Sequence, residues 1–117
     1  MKKVLFLVRT APYGSAAIPE SVRACLGFGT MPMEVRYVLM DDAVWALNPG
    51  QQPEAIGAPP VLRVLNSLAD LDVELLADQG ALAERGLSAE GVEPRFEAIS
   101  REGIAELIAS ADVVMTY

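Results

Sequence analysis

The chain has 117 residues, the size of a single domain with one core. Nine lysines and arginines against sixteen aspartates and glutamates leave a formal charge of -7, and no basic cluster offsets it, so direct nucleic-acid binding is not expected. One cysteine and no histidine exclude an internal disulfide, the usual zinc ligand sets and a histidine general base. We predict no metal and no other cofactor.

The composition is apolar for so short a chain. Hydrophobic residues make up 52% of it, and the mean hydropathy is +0.31. We therefore expect part of the apolar surface to be buried in an oligomer. Met1-Lys2-Lys3 and the apolar run behind them imitate a signal peptide, but the run stops at Arg9 and is too short for one. No stretch approaches the ~20 apolar residues of a membrane span, so a cytoplasmic protein is expected.

The first predicted unit is a strand, a loop and a helix. Residues 3–9 carry an apolar run that does not alternate, which is typical of a strand covered on both faces in a parallel sheet. A turn containing Pro12 and Gly14 follows. Apolar residues then recur at helical spacing, which predicts a helix over residues 16–29 with Ser15 as its N-cap.

Strands and helices alternate along the rest of the chain. The pattern predicts a strand at 34–40, a short helix at 43–47 capped by Asp42, a loop at 48–60, a helix opening at Pro59-Pro60, a strand at 72–76, a helix at 77–85 ended by Gly86, a loop at 88–94, a strand at 96–99, a helix capped by Ser100 and a strand at 112–117. This order predicts one α/β domain over residues 1–117. We expect a three-layer sandwich with a mostly parallel five-stranded sheet and helices on both faces.

Candidate binding residues follow the predicted strands, because ligands of parallel sheets bind beyond the carboxyl ends of the strands. Gly14 and Ser15 enter a helix whose free N–H groups favour an anion, although the loop matches neither a Walker A nor a dinucleotide-binding pattern. Asp42 and Asp78 follow the second and third strands. Each also has a plainer interpretation, since Gly14 suits an ordinary turn and both aspartates suit helix caps.

Two apolar features remain. Cys25, the only thiol, lies late in its helix on the apolar stripe, which favours a packing role over a reactive one. Val44, Trp45 and Leu47 form an apolar patch on a helix too short to bury every face. The patch is either core or a contact with another subunit, because tryptophan is enriched at interface hot spots.

Three sequence segments are similar to those of a known family. Thr10-Ala11-Pro12-Tyr13-Gly14 resembles its T-A-P-x-G opening, residues 41–53 resemble its acidic strand end running into L-x-P-G-Q-x-P, and residues 82–87 resemble its L-x-E-R-G-L helix end. The order and spacing of these segments, over nearly the whole chain, resemble the DsrE/DsrF sulfur-relay family. The similarity is closest to the TusC/DsrF subunit type.

The resemblance implies a small α/β protein that assembles into trimers, hexamers or mixed complexes. In such complexes a cysteine on a DsrE- or TusD-like subunit carries persulfide sulfur, at the start of the helix after the third strand. Asp78 and Gln79 stand at that place here. The resemblance therefore implies an accessory, non-catalytic subunit that works with a DsrE/TusD-like subunit and a DsrH/TusB-like subunit. It implies either tRNA thiolation or sulfur oxidation as the pathway served.

Two other hypotheses stay open at this stage. The first is a self-assembling module that binds a small ligand or anion in a crevice formed by Gly14, Ser15, Asp42 and Asp78. The second is a thiol enzyme that uses Cys25.

Overall fold

The computed structural model describes all of residues 1–117 and contains five strands, four α-helices and two short 3-10 helices. The strands are β1 (Lys2–Val8), β2 (Met33–Leu39), β3 (Val73–Asp78), β4 (Glu97–Ile99) and β5 (Val113–Thr116). The helices are α1 (Ala17–Gly29), α2 (Val61–Asn66), α3 (Gln79–Glu84) and α4 (Arg101–Ser110), with 3-10 helices at Asp41–Leu47 and Pro53–Ile56. No helix is both long enough and apolar enough to cross a membrane.

The strands form one parallel sheet in the order β4-β3-β2-β1-β5. β1 lies between two neighbours, with Val4 opposite Val35 of β2 and Val113 of β5. Residues Val4 to Val8 are buried on both faces, which explains why their sequence is apolar without alternation. The predicted α/β architecture is confirmed.

The direction of each crossover sets which face its helix covers. β1 to β4 step one way across the sheet, and β5 returns to the far side of β1. Because parallel crossovers are right-handed, α1, α2 and α3 fall on one face and α4 falls on the other. The packing agrees, since the larger core cluster joins α1, α2 and α3, while the smaller one lies under Ile104 of α4.

An aromatic cluster fills the centre of the larger core. The ring of Phe6 meets Phe28 edge-on at 6.0 Å and stacks with Tyr37 and Tyr117 at 6.3 and 6.1 Å between centroids. The buried Ser21 hydroxyl donates to the carbonyl of Ile18 at 2.7 Å and therefore accepts from the Tyr37 hydroxyl, also at 2.7 Å. This pair satisfies the polar tip of Tyr37, so the tyrosine can be fully buried.

Two predicted helix ends are confirmed. The Ser100 hydroxyl accepts from the Gly103 N–H at 3.1 Å at the start of α4. Gly86 has a φ of 65° just past the end of α3, the left-handed conformation that glycine adopts most easily.

Two predicted caps are wrong. The N-cap of α1 is Ala16, and the Ser15 hydroxyl accepts only from the Ala17 N–H at 3.2 Å. The first 3-10 helix begins at Asp41 with Met40 as its N-cap, so Asp42 lies inside it. The helix predicted from residue 77 begins at Gln79, because Ala77 and Asp78 continue the ladder of β3 against β4.

Candidate functional site

Three arginine–aspartate pairs lie along the carboxyl edge, meaning the edge of the sheet where the strands end. Arg9 Nε is 2.7 Å from Asp41 Oδ2, and Arg85 Nη2 is 3.0 Å from Asp42 Oδ1. Arg101 Nε is 3.4 Å from Asp78 Oδ2. The predicted acids at this edge are therefore neutralised in place. Asp41 and Asp42, the first two residues of the 3-10 helix, pair with different arginines.

Asp78 is the one fully buried acid of this edge. Its Oδ1 accepts from the Gly80 N–H at 3.0 Å, which caps α3. Its Oδ2 has no hydrogen-bond donor, because Arg101 approaches close enough for an ion pair but not in hydrogen-bonding alignment. The mostly exposed Arg101 side chain thus compensates the charge of a carboxylate that water does not reach.

Gly14 and Ser15 lie apart from the two aspartates. Gly14 has a φ of 94°, which favours glycine at this turn. Both residues line a small cavity of about 110 Å³, together with prolines and the apolar side chains of α2. Neither Asp42 nor Asp78 lines it. The four residues predicted as one crevice are thus distributed over separate places.

A hydrogen-bond network joins the two loops that contain the first two family-like segments. The Tyr13 hydroxyl donates to Gln51 Oε1 at 2.7 Å and accepts from the Val61 N–H at 3.1 Å. Gln51 Nε2 in turn donates to the carbonyls of Ala46 and Asn48 at 2.6 and 2.8 Å. Tyr13 and Gln51 therefore hold the loop after β1, the first 3-10 helix and the start of α2 in one arrangement.

These joined loops form an apolar groove beside the carboxyl edge, which we call the Trp45 groove. Its volume is about 230 Å³, and its lining includes Pro12, Tyr13, Trp45, Gln51, Pro53 and Ile56. Trp45 is 38% exposed and Ile56 is 67% exposed, so the groove opens to the surface. Large apolar side chains exposed together in this way are typical of a protein contact.

The prediction of a contact surface at Val44 and Leu47 is wrong. Both side chains are fully buried in the larger core cluster, and only Trp45 of the predicted patch reaches the surface. The 3-10 geometry is the reason. With three residues per turn, Val44 and Leu47 point the same way, toward the core, and Trp45 points off that line.

Cys25 packs inside the larger core cluster and is fully buried. Burial raises the pKa of its thiol from 9.0 to about 12, because the thiolate loses its hydration. The reactive thiolate is therefore scarce in the folded chain at neutral pH.

We expect alkylation of native Cys25 by iodoacetamide at pH 8 to be no faster than unfolding, and rapid in denaturant. Mass spectrometry of timed samples measures both rates. Rapid labelling of the native chain would contradict the buried position.

Comparison with known proteins identifies the family. The sequence model of the DsrE/DsrF-like family matches residues 2–117. This chain belongs to the DsrE/DsrF-like family. Its fold is similar to the crystal structure of the ychN protein from Escherichia coli, with a TM-score of 0.85, 28% sequence identity and complete coverage of both chains.

Two kinds of curated relatives resemble this family member over all or nearly all of its length. It is 32% identical to the intracellular sulfur oxidation protein DsrF of Allochromatium vinosum over 119 residues, covering 97% of this chain and 88% of the relative. It is 29% identical to the protein TusC of Escherichia coli K12 over 124 residues, covering all of both chains. The predicted resemblance to the TusC/DsrF type is confirmed.

The structure assigns roles within the family-like segments that sequence reasoning missed. Tyr13 stands at the variable position of T-A-P-x-G, and Gln51 stands in P-G-Q, yet their hydrogen bond connects the two segments. Both residues lie inside the family-like segments, and that position was the sign in the sequence that they have a role. A cavity of about 870 Å³ between α3 and residues 87–98 had no such signal, because it lies along a loop with no distinctive pattern.

Proposed function

We propose that this chain is an accessory subunit of a sulfur-relay complex, of the TusC/DsrF type. The observation that carries the proposal is the absence of an accessible thiol in a member of this family. The only cysteine is buried in the core, and the start of α3 presents Asp78. A persulfide needs a cysteine sulfur bonded to the transferred sulfur, and a carboxylate cannot take that place. The reactive cysteine then belongs to a DsrE/TusD-like partner.

The Trp45 groove is the proposed docking site for that partner. It combines an exposed indole with a preformed apolar lining, and the Tyr13–Gln51 network fixes its walls before any partner arrives. A rigid surface loses little conformational entropy on binding, so more of the contact energy appears as affinity. Asp41 and Asp42, which pair with Arg9 and Arg85 at the carboxyl edge, belong to the same 3-10 helix as Trp45.

The role of Asp78 in this proposal is structural. It caps α3 and pairs with Arg101 at the strand end where the resemblance places the relay cysteine. The pair therefore stabilises the start of α3 in this chain without supplying a thiol. A DsrH/TusB-like third subunit, and service to either tRNA thiolation or sulfur oxidation, complete the proposal.

Co-expression tests the proposal. The chain is produced together with a DsrE/TusD-like subunit and passed over a size-exclusion column. We expect the two chains to elute together at a mass above that of either alone. A chain that elutes as a monomer, with the partner elsewhere, would remove the proposal.

A further inference from the structure

The two outermost strands of the sheet, β4 and β5, differ in how they are protected from pairing with a strand of another molecule. β4 at one edge has only three residues and carries the exposed Glu97, with Arg95 just before it. Short length and charge are the usual means of preventing an edge from pairing with another strand. β5 at the other edge has the sequence Val-Val-Met-Thr, with neither charge nor proline. Val113 and Val114 are each 40% exposed. β5 is one residue longer than β4, and it lacks the charged residue that helps to protect β4.

The backbone of β5 leaves outward groups unpaired within the chain. The Tyr117 N–H donates to the Leu7 carbonyl at 3.0 Å, and the Tyr117 carbonyl accepts from the Arg9 N–H at 2.7 Å, so the Tyr117 backbone groups face β1. Alternation along a strand then turns the N–H and C=O groups of Thr116 and Val114 away from β1. β5 is the last strand on that side of the sheet.

We propose that β5 pairs with β5 of a second copy of this chain, antiparallel about a two-fold axis through Met115. Val114 of each copy then lies opposite Thr116 of the other and exchanges both backbone hydrogen bonds with it. The two Met115 residues face each other as a non-hydrogen-bonded pair. The two sheets join into one continuous sheet, and the edge is removed.

The occupant is a second copy because β5 is complementary to itself. Its outward N–H and C=O groups can pair with a second strand, and the centred register pairs each outward residue with an outward residue. No charge within β5 repels its twin. The flanking acid, Asp112, is engaged within its own chain, where its Oδ2 accepts from the Lys3 N–H at 2.8 Å. The contact is a two-fold, isologous one, and it does not use Trp45.

Thr116→Pro removes an outward N–H while leaving the bonds to β1, because proline is tolerated where the N–H of an edge strand faces solvent. Thr116→Ala is the matched control that keeps the N–H. By native mass spectrometry, we expect the wild type and Thr116→Ala to be dimers or multiples of dimers, and Thr116→Pro to have half that mass. A monomeric wild type, or an assembly unchanged by proline, would overturn the proposal.

A crosslink tests the register directly and does not depend on the folding of the proline variant. In the proposed pairing, the two residues at position 115 have Cα atoms about 4.5 Å apart, within reach of a disulfide. We expect Met115→Cys to form a disulfide-linked dimer under mild oxidation, and Val114→Cys to form several-fold less. Cys25 is buried and gives little background. Equal crosslinking of both variants, or none, would contradict the register.

Discussion

Trp45→Ala is expected to weaken binding of the DsrE/TusD-like partner by roughly 30-fold or more, the effect of about 2 kcal/mol at a hot-spot residue. The indole is partly exposed over the Trp45 groove, and its removal leaves that groove without its largest apolar contact. Isothermal titration calorimetry with the purified partner gives the two dissociation constants.

A matched variant separates a docking role from general surface hydrophobicity. Met31 is 51% exposed and lies in the turn between α1 and β2. It therefore precedes β2, at the amino ends of the strands, whereas Trp45 follows β2, beyond their carboxyl ends. Met31→Ala is expected to leave the affinity within twofold. The partner would bind elsewhere if the two variants lost affinity equally. It would also bind elsewhere if Trp45→Ala kept both its affinity and its midpoint of unfolding in urea.

Phe6→Ala is expected to lower the free energy of unfolding by about 3–5 kcal/mol. The ring is fully buried on β1, which has a strand on each side, and it contacts three other aromatic rings, so its loss leaves a cavity in the larger core. Domains of this size are typically stable by roughly 5–15 kcal/mol, so the variant would lose a large share of the total. Urea unfolding followed by circular dichroism measures the change.

The matched variant for Phe6 is Phe28→Ala. Phe28 meets the same ring edge-on but is only partly buried on α1. Its loss is expected to cost clearly less, because water and neighbouring side chains can fill the space at the rim of the core. A Phe28 variant as destabilised as the Phe6 variant would mean that the cluster is centred on α1 rather than on β1.

The architecture could be predicted because its signals are strong and local. Each signal predicts one structure. The apolar run at Val4 to Val8 predicts a buried strand, Ser100 predicts a helix start, and Gly86 predicts a helix end. The start of α3 could not be located, because Ala77 and Asp78 suit a helix as well as a strand. Pairing with the neighbouring strands decides that they extend β3: Ala77 pairs with both β2 and β4, and Asp78 pairs with β4.

The candidate site was harder to predict for a physical reason. Its defining contacts join residues far apart in the chain, such as Tyr13 with Gln51 and Asp42 with Arg85, and sequence spacing does not encode such pairs. The aspartates therefore looked free when they are paired. The sequence left Val44 open as core or contact, because the pattern of so short a helix does not show which face packs into the core.

The most direct measurement is sulfur uptake by the purified chain alone. The chain and its cysteine-bearing partner are each incubated with a low-molecular-weight persulfide, and their intact masses are recorded. We predict that the partner gains sulfur and that this chain gains none, because its single thiol is buried within the core. A chain that took up sulfur at Cys25 and passed it to an acceptor would contradict the account.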